Sequence, residues 1–277
     1  MSEPASDPAS AAEPASDPAS AADATEGPQL SKAEGVKAAS AGLRGALAEE
    51  LTEPEAPFSG DSEILLKFHG VYAQDNRDVR SARKRARQDV ERICMVRAGI
   101  PGGALTAEQY LALDDLADSL GNGTLRVTTR QGLQFHFVTK ADLRTLVGQL
   151  NEHLVTTLGA CGDVVRNVVC CPAPLADREA ADLQRWAREL HARTRPRTTA
   201  YWSLWVDGEM AASAAPVEEP LYGATYLPRK FKISIAWPGD NCVDVFSQDV
   251  GLVPVVEDGD LTGFAVLVGG GLGQSHT

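Results

Sequence analysis

The chain has 277 residues, 43 % of them hydrophobic, and a formal net charge of −12. That length suits one large domain or two small ones, and no apolar run is long enough for a membrane-spanning helix. The acidity is uneven. Residues 1–60 hold eleven acids against three bases, so the remainder carries only −4, and bulk charge gives no reason to expect nucleic acid as a partner.

Residues 3–12 (EPASDPASAA) recur letter for letter at 13–22. Ala, Ser, Pro and acids cannot bury enough apolar surface to offset ordering entropy, so 1–30 reads as a disordered tail. This start lacks the features of a secretory signal or an organelle transit peptide, which makes the cytoplasm the expected compartment. A helix is expected over Ser31–Leu51, with Pro54 and Pro57 then breaking the chain. Residues 31–59 are thus a helix and linker, and the folded body begins near Ile64.

Arg92–Gly99 alternates, with Ile93, Met95 and Arg97 on one side and Cys94, Val96 and Ala98 on the other. Thr106 and Gln109 form a capping box ahead of a helix striped by Leu113, Leu116, Ala117 and Leu120. Thr124–Lys140 reads as two strands joined near Gly132. A helix follows with Leu143, Leu146, Val147, Leu150 and Leu154 on one face, and another spans Asp177–Arg193. Strands are expected at Thr198–Val206, ending at Asp207-Gly208, at Phe231–Trp237, and at Gly263–Val268 before Gly269-Gly270-Gly271. Strands mixed with helices indicate an α/β or α+β layer fold. The glycine loop so near Thr277 reads as a chain cut in mid-domain.

The five cysteines (Cys94, Cys161, Cys170, Cys171, Cys242) are odd in number and irregular in spacing, with no Cys-x-x-Cys pair. This speaks against a disulfide framework or a zinc ribbon. Small buried hydrophobes are the simplest reading.

Arg126, Thr128 and Arg130 share one parity, so on a continuous strand they face one way. Two guanidiniums side by side suit an anion between them; a solvated sheet face is the other reading. Lys230 and Lys232 share a face beside Arg229, again either an anion site or a polar strand edge. Arg97 and Arg166 sit among apolar neighbours and need partners, and Asp163 could serve Arg166. His136, between Phe135 and Phe137, reads as a core or hydrogen-bonded histidine rather than a metal ligand. The run Arg77–Arg92 is interleaved with acids and has no aromatic platform, which speaks against nucleic acid.

Six segments in order, KFHGVYAQDNRDVR (67–80), MVRAGIPGG (95–103), GTLRVTTRQGLQFH (123–136), GACGDVVRNVVC (159–170), YLPRKFK (226–232) and VGGGLGQSH (268–276), resemble the siroheme-dependent sulfite and nitrite reductases. The resemblance runs from about residue 64 to the end. It implies an α+β fold: a ferredoxin-like half-domain over 60–152, then the first part of a siroheme-binding α/β domain over 153–277.

It also implies six-electron reduction of sulfite to sulfide. Arg126, Thr128, Arg130, Gln134, His136 and Arg229 would contact the siroheme edge, with Gly269, Gly270 and Gly271 against the ring. Arg97, Arg166, Lys230 and Lys232 would hold sulfite and deliver protons. Lysine at 232 favours sulfite over nitrite. Ferredoxin is the favoured electron donor and an NADPH flavoprotein the other.

One departure matters. The family's Cys-x5-Cys and Cys-x3-Cys motifs, which hold a 4Fe-4S cluster, do not occur in this sequence. No metal ligand is therefore expected here, and the chain alone should not reduce sulfite. The remaining alternatives are a nitrite reductase, or a non-catalytic module binding an anion or a partner.

Overall fold

The computed structural model describes residues 29–173, 178–197, 203–206, 209–213, 219–237 and 239–270. Residues 31–277 cluster as one compact unit. Most of the repeated tail, the beginning of the Thr198–Val206 strand, Asp207-Gly208 and Gly271 lie outside the described residues.

The first helix, α1 (Lys32–Ala39), starts at Ser31, whose hydroxyl accepts from the Glu34 amide while the Glu34 carboxylate accepts from the Ser31 amide. The single helix expected to Leu51 does not form. The chain turns over 41–46, with Ala41, Gly42, Leu43 and Gly45 at positive φ, before a short α2 (Leu47–Glu50). Tertiary contacts outweigh helix propensity here. Leu43 is fully buried, and its carbonyl accepts from His69 Nε2 at 2.7 Å. Phe58 and Leu47 are also in the core, so the folded body begins near Ser31 and not at Ile64. The presumed linker is a packed strap.

Next come α3 (Gly60–Leu66), β1 (Val71–Asp75), α4 (Arg77–Arg85) and β2 (Arg92–Ala98), then α5 (Ala107–Leu120), β3 (Leu125–Val127), β4 (Leu133–Val138) and α6 (Leu143–Glu152). The strands form an antiparallel sheet in the order β1-β2-β4-β3. The expected stripes of α5 and α6 cover one face of it, where Val96, Phe135, Val138, Leu113, Leu146 and Leu150 are all buried, except that Leu154 lies past the end of α6 and is exposed. A bulge interrupts the β2–β4 ladder at His136 and Phe137, which together face Met95, and Phe137 takes a φ of 60°. Bulges of this kind re-aim side chains and often border functional sites.

The second layer has β5 (Val169–Cys170), α7 (Arg178–Thr194), the hairpin pair β6 (Ser203–Val206) and β7 (Glu209–Ser213), then β8 (Ile233–Ile235), β9 (Val250–Glu257) and β10 (Asp260–Val268). Its main sheet runs β10-β9-β8-β5. The β5–β8 and β8–β9 pairs are parallel and β9–β10 is an antiparallel hairpin. The strand expected over Phe231–Trp237 is shorter, its ends reduced to single bridges from Phe231 to Val165 and from Trp237 to Asp240. Leu183 and Ala187 of α7 are buried against this sheet, and Trp186 meets Phe264 edge-on at 5.7 Å. One hydrophobic core runs through both layers, from Phe135 to Ile235. The α+β class expected from the sequence is the class observed.

A basic cavity between the two sheets

Arg97 ends β2. Its amide donates to the Gly70 carbonyl at 2.8 Å, a contact that needs Gly70. That residue has φ 77°, and a Cβ there would lie 2.5 Å from the Thr157 carbonyl oxygen and 2.7 Å from that of Arg97. In register across the sheet, Arg97 faces Gln134 and Gln134 faces Arg126. With its amide oxygen turned to Arg97, Gln134 accepts from Arg97 Nη2 at 2.5 Å and Nε at 3.0 Å. The Gln134 nitrogen then faces the His136 ring at 3.3 Å. Arg97 Nη1 also donates to Cys161 Sγ at 3.2 Å, and its guanidinium lies 5.9 Å from the Tyr72 ring centre. Arg97, Gln134, Arg126 and His136 thus make one polar row.

Arg166 comes from the irregular segment before β5. Its amide donates to the Phe231 carbonyl and the Phe231 amide to the Val164 carbonyl, at 2.8 and 3.0 Å. These bonds fix Arg166 beside the strand that carries Lys230 and Lys232. Arg166 Nε donates to the Gly162 carbonyl at 2.6 Å. Asp163, a candidate partner for Arg166 from the sequence, pairs with Lys37. Lys232 is anchored through its amide to Asp249 Oδ2 at 2.7 Å, with Nζ 3.5 Å from the Ser247 carbonyl.

Arg97, Thr128, Arg130, Arg166, Lys230 and Lys232 line one cavity of about 170 Å³. Among the described residues, none of its five cations is in an ion pair. The electrostatic consequence falls on their neighbours. Burial, then Arg166, Lys232, Arg229 and Arg130, hold Lys230 below the ordinary lysine range. Burial, then Arg126 and Arg97, lower His136. Like charges held together around an open space, with Asp249 near Arg130 but no ion pair among the described residues, form a receptor for a small anion.

One of the expected groupings changes. Arg126, Thr128 and Arg130 do not share a strand face, because β3 stops at Val127 and Thr128 Oγ1 closes a turn by accepting from the Gly132 amide at 3.0 Å. Arg126 points to the exposed side. Arg130 instead runs inward between the sheets, donating to Gln248 Oε1, the Asn167 carbonyl and the Ile233 carbonyl at 2.6, 2.7 and 2.9 Å. Burial, then Arg166, bring its pKa down to about 10. Its Nε is buried without a partner among the described residues.

The glycine run has a reason within the chain itself. Gly270 has φ 75°, and a Cβ there would meet the Gln248 carbonyl oxygen at 2.1 Å. Gly269 donates to the Asp249 carbonyl at 3.2 Å. Arg229 is exposed and does not line the cavity. Sequence reasoning missed Gln248, Asn167, Cys161 and Tyr72. Cys161 and Asn167 lie within the GACGDVVRNVVC motif, which could have flagged them.

Two family models match this chain: the nitrite/sulfite reductase ferredoxin-like half domain over residues 85–153, and the nitrite and sulphite reductase 4Fe-4S domain over 161–277. Among curated proteins, the sulfite reductase (NADPH) hemoprotein beta-component of Geobacillus kaustophilus strain HTA426 is 48 % identical over 257 residues, covering 91 % of this chain and 45 % of that protein. Its counterpart from Geobacillus thermodenitrificans strain NG80-2 is 47 % identical with the same coverage. The chain therefore spans under half the length of these relatives. The solved structure of the Mycobacterium tuberculosis NirA protein superposes with a TM-score of 0.58 at 20 % identity, over 84 % of this chain and 41 % of that one, and shows the same fold.

Proposed function

The chain belongs to the nitrite and sulfite reductase family, and from that premise we propose that it supplies the oxyanion-gripping part of a sulfite reductase. The observation that carries this reading is the cavity lined by five cations, none in an ion pair among the described residues. The names of the relatives and the lysine at 232 favour sulfite over nitrite. Division into a half-domain over 60–152 and a siroheme-binding part over 153–277 is supported by matches that meet between 153 and 161.

Arg97, Arg166, Lys230 and Lys232 hold the anion and compensate charge as it reorganises. Lys230, its ammonium form disfavoured by its neighbours, gives up a proton more readily than an ordinary lysine and is the proton donor in this reading. Siroheme, when bound, supplies the multi-electron reduction of sulfur. An acid-edged tetrapyrrole fits a surface that offers Arg126, His136 and the unpartnered Nε of Arg130. Thr128, Gln134, Arg229 and the Gly269–Gly271 run complete the proposed contacts.

A 4Fe-4S cluster does not fit the cysteines of this chain. Four thiols are not brought together among the described residues, and no step is assigned to such a cluster here. In this reading its ligands lie outside this sequence. The relatives' name favours electrons drawn from NADPH over the ferredoxin favoured by the sequence motifs.

The test is to express the chain alongside siroheme synthesis and record its absorption spectrum with and without sulfite. Siroheme bands that sulfite perturbs, and that sulfite no longer perturbs in Arg166→Met, are expected. Absence of sulfite binding, with or without bands, overturns the reading.

A further inference from the structure

At the carboxyl ends of the neighbouring parallel strands β5 and β8, away from the basic cavity, two thiols and a carboxylate converge. Cys171 follows β5 directly and is 7 % exposed. Its carbonyl accepts from Gln184 Nε2 of α7 at 3.3 Å. Asp240 and Cys242 lie on the exposed turn after β8. That turn is held by the Trp237–Asp240 bridge and by the Cys242 amide donating to Asp240 Oδ1 at 3.0 Å. The two Sγ atoms and a carboxylate oxygen all lie within 4.8 Å of one another. We propose that Cys171, Asp240 and Cys242 form a binding site for a borderline-soft divalent cation of the zinc type, with solvent as fourth ligand.

The chemistry of the donors supports a cation over thiol–disulfide exchange. Exchange needs a thiolate, and reactive thiols sit beside positive groups. Here the charged group placed with the two thiols is the Asp240 carboxylate, which disfavours a thiolate. A divalent ion takes these three donors and displaces two thiol protons to solvent, with no electron transfer. Two sulfurs and one oxygen, one sulfur buried and two donors at the surface, match a tetrahedral ion with an open position better than the octahedral all-oxygen shell of magnesium. Bound there, the ion ties the segment after β5 to the turn after β8.

The experiment uses the full chain, reduced with a phosphine, stripped with a chelator, and titrated first with Co²⁺ and then with Zn²⁺. One Co²⁺ per chain is expected, with thiolate charge-transfer and tetrahedral ligand-field bands that Zn²⁺ abolishes. Cys242→Ser and Asp240→Asn, on an exposed turn where folding is not at stake, should weaken Zn²⁺ binding by at least the roughly 10–100-fold that loss of a supporting partner costs. Asp258→Asn, on the β9–β10 turn and outside the donor set, should leave it unchanged. Absence of thiolate bands, equal affinity in Cys242→Ser, or a Cys171–Cys242 disulfide formed in air by a chain that binds no metal when reduced would each overturn the proposal.

Discussion

Arg130 Nη1 donates to Gln248 Oε1 at 2.6 Å, joining the turn between two strands of the first sheet to the segment before β9 in the second. The same guanidinium serves the Asn167 and Ile233 carbonyls, so Arg130 is a rivet between layers as well as a wall of the cavity. Arg130→Met should leave these acceptors buried without a donor and cost about 2–4 kcal/mol in chemical denaturation. Arg126→Met, on the exposed face, should stay within about 0.5 kcal/mol. Equal effects of the two would contradict the placement of Arg130.

The N-terminal strap gives a second test. Lys37 is 2 % exposed, and its Nζ donates to the Leu227 carbonyl at 2.8 Å and approaches Asp163 Oδ2 at 3.4 Å. Lys37→Met keeps the aliphatic volume but leaves the Leu227 carbonyl without that donor, at a cost of about 1–3 kcal/mol. Limited proteolysis should then cut first between Ser40 and Phe58, where the strap would lift away. Unchanged stability and cleavage would show that Lys37 does not hold the strap.

These two residues also mark what the sequence could and could not disclose. The stripes of α5 and α6, the span of α7, the alternation of β2 and the turn near Gly132 were legible because each is a local pattern. The five-residue β1, and β9 with Pro254 inside it, carry no such signal. A buried lysine whose acceptor lies 190 residues away is invisible to any local pattern. The parity argument for Arg126, Thr128 and Arg130 failed because a strand's period ends where the strand ends, and Thr128 is already in a turn. Arg97, Arg166, Lys230 and Lys232 converge through long-range pairing, so only their resemblance to a family grouped them in advance. Gln248 had no signal, since its role exists only once Arg130 has turned inward.

Acid should weaken the fold through histidine. Burial, then Arg195, lower His191 to about 4, and its Nε2 has no partner among the described residues. Burial also lowers His69. A histidine held neutral in the folded state takes up protons preferentially when unfolded. Its stabilising contribution is therefore fully present above the unfolded value near 6.5 and is lost as pH falls from there towards 4. For His191 the loss is of order 3 kcal/mol. Urea midpoints measured across that window should fall steeply, and His191→Leu should flatten the slope while leaving the share due to His69. An unchanged slope would assign the acid sensitivity elsewhere.

The cavity and the fold meet at Gly70. A methyl group there collides with the carbonyls of Thr157 and Arg97, and the φ of 77° is itself unfavourable for alanine. The strand end that carries Arg97 must shift to relieve both. Gly70→Ala should cost about 1–3 kcal/mol of stability and should also weaken binding of sulfite, or of sulfate as an inert stand-in, to the chain. Arg166→Met should weaken the same binding with little change in unfolding midpoint, because among the described residues Arg166 gives up one side-chain bond, to the Gly162 carbonyl. Isothermal titration at two ionic strengths separates these effects: binding to unpaired cations falls as salt rises. Gly70→Ala that loses stability but keeps wild-type anion affinity would mean that the position of Arg97 does not govern the site.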